Sequence, residues 1–143
     1  MSDNPAVRAL AQATLYSDEK LYVVVHLPPR AITAGAGVLA EVAAPFSALI
    51  VDKDEVTLVV NQDDWGFFAD RLPEKRVETD YRLITFDLPL DLALVGFIAL
   101  VGRILAEAGV SCLPFGAYER DHILVSADHF QTAWDALIAA QQA

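Results

Sequence analysis

The stretch LVGFIALVGRILAEAGVSC, residues 94–112, constrains this chain more than any other. Its uncharged run, Leu92 to Gly102, is 11 residues long and bounded by Asp91 and Arg103. A membrane-spanning helix needs about 20 apolar residues, so the run is too short to span and reads as a buried core helix. The helix is expected from about Val95 to Ala108, with Ile98, Val101 and Leu105 on its core face. Three glycines punctuate it. Gly109 stands where a helix commonly stops, because glycine takes the left-handed conformation at little cost. Gly102 lies inside, where glycine costs about 1 kcal/mol relative to alanine. Close packing is expected to offset that. Gly96 stands at the start. There it either allows a tight strand-to-helix turn or lets the backbone approach a ligand. The unpaired N–H groups and partial positive charge of a helix start suit a carboxylate.

The chain has 143 residues, enough for one compact domain or two very small ones. With 55% hydrophobic residues it can bury a core, which excludes general disorder. The net charge of -10 disfavours nucleic acid and an anionic membrane surface as partners, since both demand clustered Lys and Arg. Cys112 is the only cysteine, so no internal disulfide forms. The first residues, MSDNPAVRALAQATLYSDEK, lack a basic leader followed by an apolar stretch. A cytoplasmic protein is expected.

Hydrophobic spacing supplies the elements. Residues 4–14 form a short helix, with Asn4 as cap and Pro5 at its first position. LYVVVHL, 21–27, is a buried strand. In RAITAGAGVLAEVAAP, Gly35 and Gly37 argue for a loop over a helix. FSALIVDKDEVTLVV, 46–60, is a hairpin turning at Asp52 to Glu55. Residues 62–74 form a short helix, capped by Asp63 or Asp64 and presenting Trp65, Phe68 and Leu72 on one face. YRLITFDL, from Tyr81, alternates as a strand with one side buried. After the opening helix come a strand at 110–115, a turn at GAYERD, a strand at 122–126 and a last helix from about Asp128. Each half is close to a βαββαβ unit. The fold class is therefore α+β, with two ferredoxin-like modules built of antiparallel sheets with helices on one face.

That order, carried by ALVGFIALVGRILAEAGVSC, then GAYERDHILV, then a closing helix, resembles the ACT domain family. Small tandem-ACT proteins have a similar glycine entry to the helix, a LAEAGISC exit and a Tyr…Asp-His hairpin. The matching residues are Val95-Gly96, Leu105 to Cys112, and Ala117 through Val125. In the first half, LYVVVHL resembles the family's opening strand and IVDKDEVTLVV its charged hairpin. Arg120 and the pair Phe97-Ile98 depart from the family pattern. The resemblance implies an N-terminal extension over 1–20 and ACT-like modules over 21–80 and 81–143. It also implies a non-catalytic regulatory protein, similar to amino-acid sensors, whose sheets pair side by side in a homodimer. With no catalytic domain attached, the signal would pass to an enzyme or regulator partner. The alternative is a ligand-free interaction module or regulatory subunit of an amino-acid-metabolism enzyme.

The resemblance implies a small ligand, an amino acid, and no cofactor. Val95, Gly96, Phe97 and Ile98 at the helix start are expected to meet its carboxylate. Ser111 and Cys112, at the strand expected beside that helix, would offer backbone to its ammonium. Tyr118 would stack on the ligand, and Asp121 would read an amine. Each has a plain structural alternative: turn geometry for Gly96, a buried small hydrophobe for Cys112, an apolar edge for Tyr118, a solvent-facing turn for Asp121. His26 ends a strand. His122 and His129 match no metal-ligand spacing, and no metal site is expected. Gly35-Ala36-Gly37 lacks the third glycine of a dinucleotide loop. No hydrolase or phosphate-loop motif occurs.

Overall fold

The computed structural model describes residues 4–42 and 44–143. Residues 1–3 of the expected N-terminal extension, and Ala43 of the stretch 30–45, lie outside the described residues. In chain order the elements are α1 (Pro5–Gln12), β1 (Thr14–Tyr16), β2 (Leu21–Leu27), α2 (Ile32–Val42), β3 (Ala48–Val51), β4 (Val56–Asn61), α3 (Trp65–Phe68), β5 (Arg76–Asp87), α4 (Phe97–Glu107), β6 (Leu113–Gly116), β7 (Asp121–Ser126) and α5 (Phe130–Gln141). Two units divide the chain. A middle unit is Asp18–Tyr81; a terminal unit takes the chain up to Ser17 and again from Arg82 to Ala143.

The middle unit has strand order β3-β4-β2-β5. β2 and β3 both pair antiparallel with β4, with Val25 opposite Leu58 and Leu49 opposite Leu58. Val23, Val25 and Leu27 alternate into a core with Val56, Leu58 and Val60, closed by Val38, Val42 and Leu72. The charged turn forms as expected. Asp52 accepts hydrogen bonds from the amides of Asp54 (2.8 Å) and Glu55 (2.9 Å), which turns the chain between β3 and β4.

Two expectations fail in this unit. The stretch 30–45 is not a loop: a 3₁₀ turn at Pro29–Ala31 leads into the 11-residue helix α2. Gly35 faces the sheet, and a β-carbon there would lie 3.2 Å from Leu49 Cδ1 and 3.5 Å from Leu27 Cδ1. The glycine lets helix and sheet approach, and that packing overrides its low helix propensity. Residues 62–74 hold only the single turn α3, flanked by 3₁₀ turns at Gln62–Asp64 and Ala69–Arg71. Asn61 caps this segment, its side chain accepting from the Asp64 amide at 3.1 Å, in place of Asp63 or Asp64.

The terminal unit has strand order β5-β7-β6, with β1 also pairing β5. Leu15 stands opposite Phe86, and Leu113 opposite Leu124, both in antiparallel pairs. Asn4 caps α1, accepting from the Ala6 amide at 2.8 Å, with Pro5 following. Ile84, Phe86, Phe97, Val101, Leu105, Ile123, Val125, Ala133 and Leu137 form the core. Ala6, Leu10, Ala13 and Leu15 join it, so the N-terminal segment is part of this unit's interior. β5 starts at Arg76, earlier than expected, and Leu83, Ile84, Thr85 and Phe86 are all buried, so both of its sides are covered.

α4 ends as its sequence dictates. Gly109 takes φ +76, its amide bonds the Ala106 carbonyl at 3.0 Å, and Val110 bonds Leu105 at 2.9 Å. This is a Schellman stop. Its core face is Phe97, Val101 and Leu105, one position out of phase with the expected start at Ile98, which is exposed. Gly102 has no close neighbour among the described residues of its own chain: a β-carbon there would meet nothing within 4 Å.

Candidate functional site

The segment between β5 and α4 is where the terminal unit opens a cleft. Asp91 organises it, accepting from the Ala93 amide at 2.8 Å through its side chain and from the Leu94 amide at 2.9 Å through its carbonyl. Leu90 donates its amide to the Glu119 carbonyl at 2.5 Å, which ties this segment to the β6–β7 turn. That turn closes through the Ala117 amide on the Arg120 carbonyl at 2.9 Å. Between the two tied loops lies a cleft of ≈ 270 Å³, lined by Leu90, Asp91, Leu94, Phe97, Tyr118 and Asp121 among others. A shallower, more apolar hollow adjoins it, lined by Asn4, Pro5, Asp91, Ala93, Leu94 and Val95.

Gly96 stands at the head of α4 with φ +90 and ψ 4, a left-handed conformation that glycine adopts freely. A β-carbon there meets nothing within 4 Å, so strain and not crowding is what excludes other residues. No side chain caps α4. Its first amides therefore have no helical acceptor and leave partial positive charge at this end.

The charges of the cleft are unevenly matched. Arg120 is held by Asp87, Nε to Oδ1 at 2.9 Å, and lies 3.6 Å from Glu119. Asp121 opens β7 opposite Gly116, half-buried. Its carboxylate has no hydrogen-bond or ion-pair partner among the described residues. Burial pushes its pKa up, and the neighbouring His122 pulls only partly the other way. His122 is itself pushed down, chiefly by burial, and its Nδ1 lies 2.8 Å from Thr85 Oγ1.

The structure thus brings together Phe97, Tyr118 and Asp121 of the residues singled out from sequence. Val95 lines the adjoining hollow and is 83% exposed. Gly96 follows it at the helix head. Ile98 is exposed on the first turn of α4. Ser111 is exposed and Cys112 is packed against the terminal core, its thiol pKa raised by burial; neither lines the cleft. The strand that follows Ser111 and Cys112 is β6, whose last residue, Gly116, lines the cleft. Sequence reasoning passed over Leu90, Asp91 and Glu119. The Leu-Pro-Leu-Asp run at 88–91 was the available signal, since proline and aspartate favour turns. Among the described residues no cluster of three His, Cys, Asp or Glu could hold a metal, and no helix is long and apolar enough to cross a membrane.

The architecture is α+β, with antiparallel strand pairs and helices in the ferredoxin-like manner. Residues 76–139 match the family model of the ACT domain. No curated protein sequence matches the chain. Solved structures share its fold. A protein of unknown function from Vibrio cholerae, described as a possible transport protein, is 24% identical; the match covers 96% of each chain at a TM-score of 0.69. A protein from Agobacterium tumefaciens is 22% identical over 89% of this chain and 87% of its own, at 0.68. The regulatory subunit of aspartate kinase from Thermus thermophilus is 14% identical over 90% of this chain and 97% of its own, at 0.72.

Proposed function

We propose that this chain is a non-catalytic regulatory protein of two tandem ACT modules that binds an amino acid in the β5–α4 cleft. The observation that carries this reading is Asp121, a half-buried carboxylate without a partner in the same cleft as the head of α4. An ammonium group satisfies Asp121. A carboxylate suits the uncapped amides beginning at Phe97. Tyr118, 78% exposed, supplies a ring to close over the ligand. The fold shared with an aspartate kinase regulatory subunit supports a regulatory role, exercised on an enzyme or regulator partner. Self-association through sheet edges belongs to the same proposal, as does a cytoplasmic setting, which a lone cysteine suits.

Thermal-shift measurements with the twenty amino acids at millimolar concentration test it. At least one is expected to raise the melting temperature, and Asp121→Asn to abolish that rise. Silence from all twenty in the wild-type protein would sink the reading.

A second reading has its own observation. Leu92, Val95 and Tyr118 are 70%, 83% and 78% exposed around the same cleft. An apolar rim of this kind suits a protein partner and no small ligand. It predicts that Leu92→Ser with Val95→Ser changes self-association or partner binding while amino acids have no effect.

A further inference from the structure

The middle unit bears a cleft of its own. It measures ≈ 300 Å³ and is lined by Val24, His26, Glu55, Thr57, Arg76 and Glu78. Side chains alternate across a strand. Val23, Val25 and Leu27 enter the core, so Val24 and His26 face the other side of the sheet. Thr57 stands opposite His26 on β4. Arg76 and Glu78 are two apart on β5 and share a side. His26 Nε2 lies 3.3 Å from Glu55 Oε1, while its Nδ1 is enclosed without a partner. The side chains of Arg76 and Glu78 have no hydrogen bond or ion pair with any described residue. A cation and an anion thus line one small cleft and leave each other unpaired.

We propose that this cleft is a second small-molecule site, separate from that of the terminal unit, and that it takes a zwitterion. The ligand's carboxylate pairs with Arg76, whose planar fork matches it, and its ammonium pairs with Glu78 and Glu55. One molecule carrying both charges satisfies both ends at once. A ligand with only one charge leaves the other end unmatched. The volume sits at the lower end of ligand pockets, which suits a free amino acid. Among the described residues Glu55 is the one carboxylate within ion-pair distance of the His26 ring, so a ligand that engages Glu55 also changes the surroundings of the ring.

Nuclear magnetic resonance on the whole chain tests this with glycine, acetate and methylammonium as probes. Glycine at millimolar concentration is expected to shift the His26 ring protons and the Thr57 amide. Acetate and methylammonium should each bind about tenfold or more weakly. Arg76→Met should remove the glycine response, and Arg76→Lys should keep part of it. Asp121→Asn should leave it intact. No response in the wild-type protein, an equal response to acetate, or an unchanged response in Arg76→Met overturns the proposal. So does loss of the response in Asp121→Asn, because the shift would then originate in the terminal unit's cleft.

Discussion

Asp121 and His122 are neighbours whose burial favours the neutral form of each, with opposite effects on pH dependence. The folded pKa of Asp121 is raised. Its contribution to stability is complete below the unfolded carboxylate value, about 3.9, and is lost as pH rises through the folded value. At neutral pH the ionised group is a cost, and Asp121→Asn should melt no lower than the wild type; the variant's advantage should vanish below about pH 4. The folded pKa of His122 is lowered. Its contribution is present above the unfolded value, about 6.5, and is lost as pH falls toward the folded value. Melting temperature followed by circular dichroism between about pH 7 and pH 5 should therefore fall with pH, and His122→Gln should flatten the curve. An unchanged slope in that variant would remove His122 from the account. At this scale the sequence was informative where one residue type has few alternatives. Gly109 and Asn4 could be placed because a helix stop and a cap demand them. The phase of α4 could not, because Phe97 and Ile98 are both apolar and only packing against Phe86, at a ring distance of 5.2 Å, selects the first.

Among the elements, α2 shows why a propensity argument misled. Gly35 and Gly37 look alike in sequence but meet different surroundings. Gly35 sits under Leu49 and Leu27, whereas a β-carbon at Gly37 would meet, among the described residues, only Arg71 Nη2 at 3.8 Å. Gly37→Ala should therefore stabilise the protein by about 0.5–1 kcal/mol, since alanine is the better helix former and the site has room. Gly35→Val should destabilise it by about 1–3 kcal/mol through overpacking. Urea denaturation distinguishes them, and a stabilising Gly35→Val would refute the packing account. β1 escaped notice for a different reason. It is three residues long, and its pairing with β5 places Leu15 in a core supplied by distant parts of the chain. No local pattern announces such a strand. The candidate cleft shares this property, since the Leu90–Glu119 bond that shapes it joins loops remote in sequence.

For the whole molecule, most of the element order was legible, with β1 and α2 the exceptions, and no local pattern marks a unit drawn from two separated segments. The middle unit is one uninterrupted segment, Asp18–Tyr81. The terminal unit needs two. Its strand order, β1-β5-β7-β6, is completed by a strand that precedes the middle unit in the chain. A fragment 18–81 should fold alone, with dispersed amide resonances. A fragment 82–143 should not, because it lacks Ala6, Leu10, Ala13 and Leu15 from the core. Joining residues 4–17 after Ala143 through a short flexible linker should restore folding. A well-folded 82–143 fragment would show that β1 and α1 are dispensable.

The split terminal unit also has a consequence for biosynthesis. Chains emerge from the ribosome in order, and early segments fold first where they can. The middle unit is complete as soon as Tyr81 has cleared the exit tunnel. Residues 4–17, made before it, carry buried apolar positions whose partners on α4, β7 and α5 come last. During translation this greasy leading segment waits unsatisfied beside an already folded neighbour, and it is there that a nascent chain of this protein is open to capture by a chaperone.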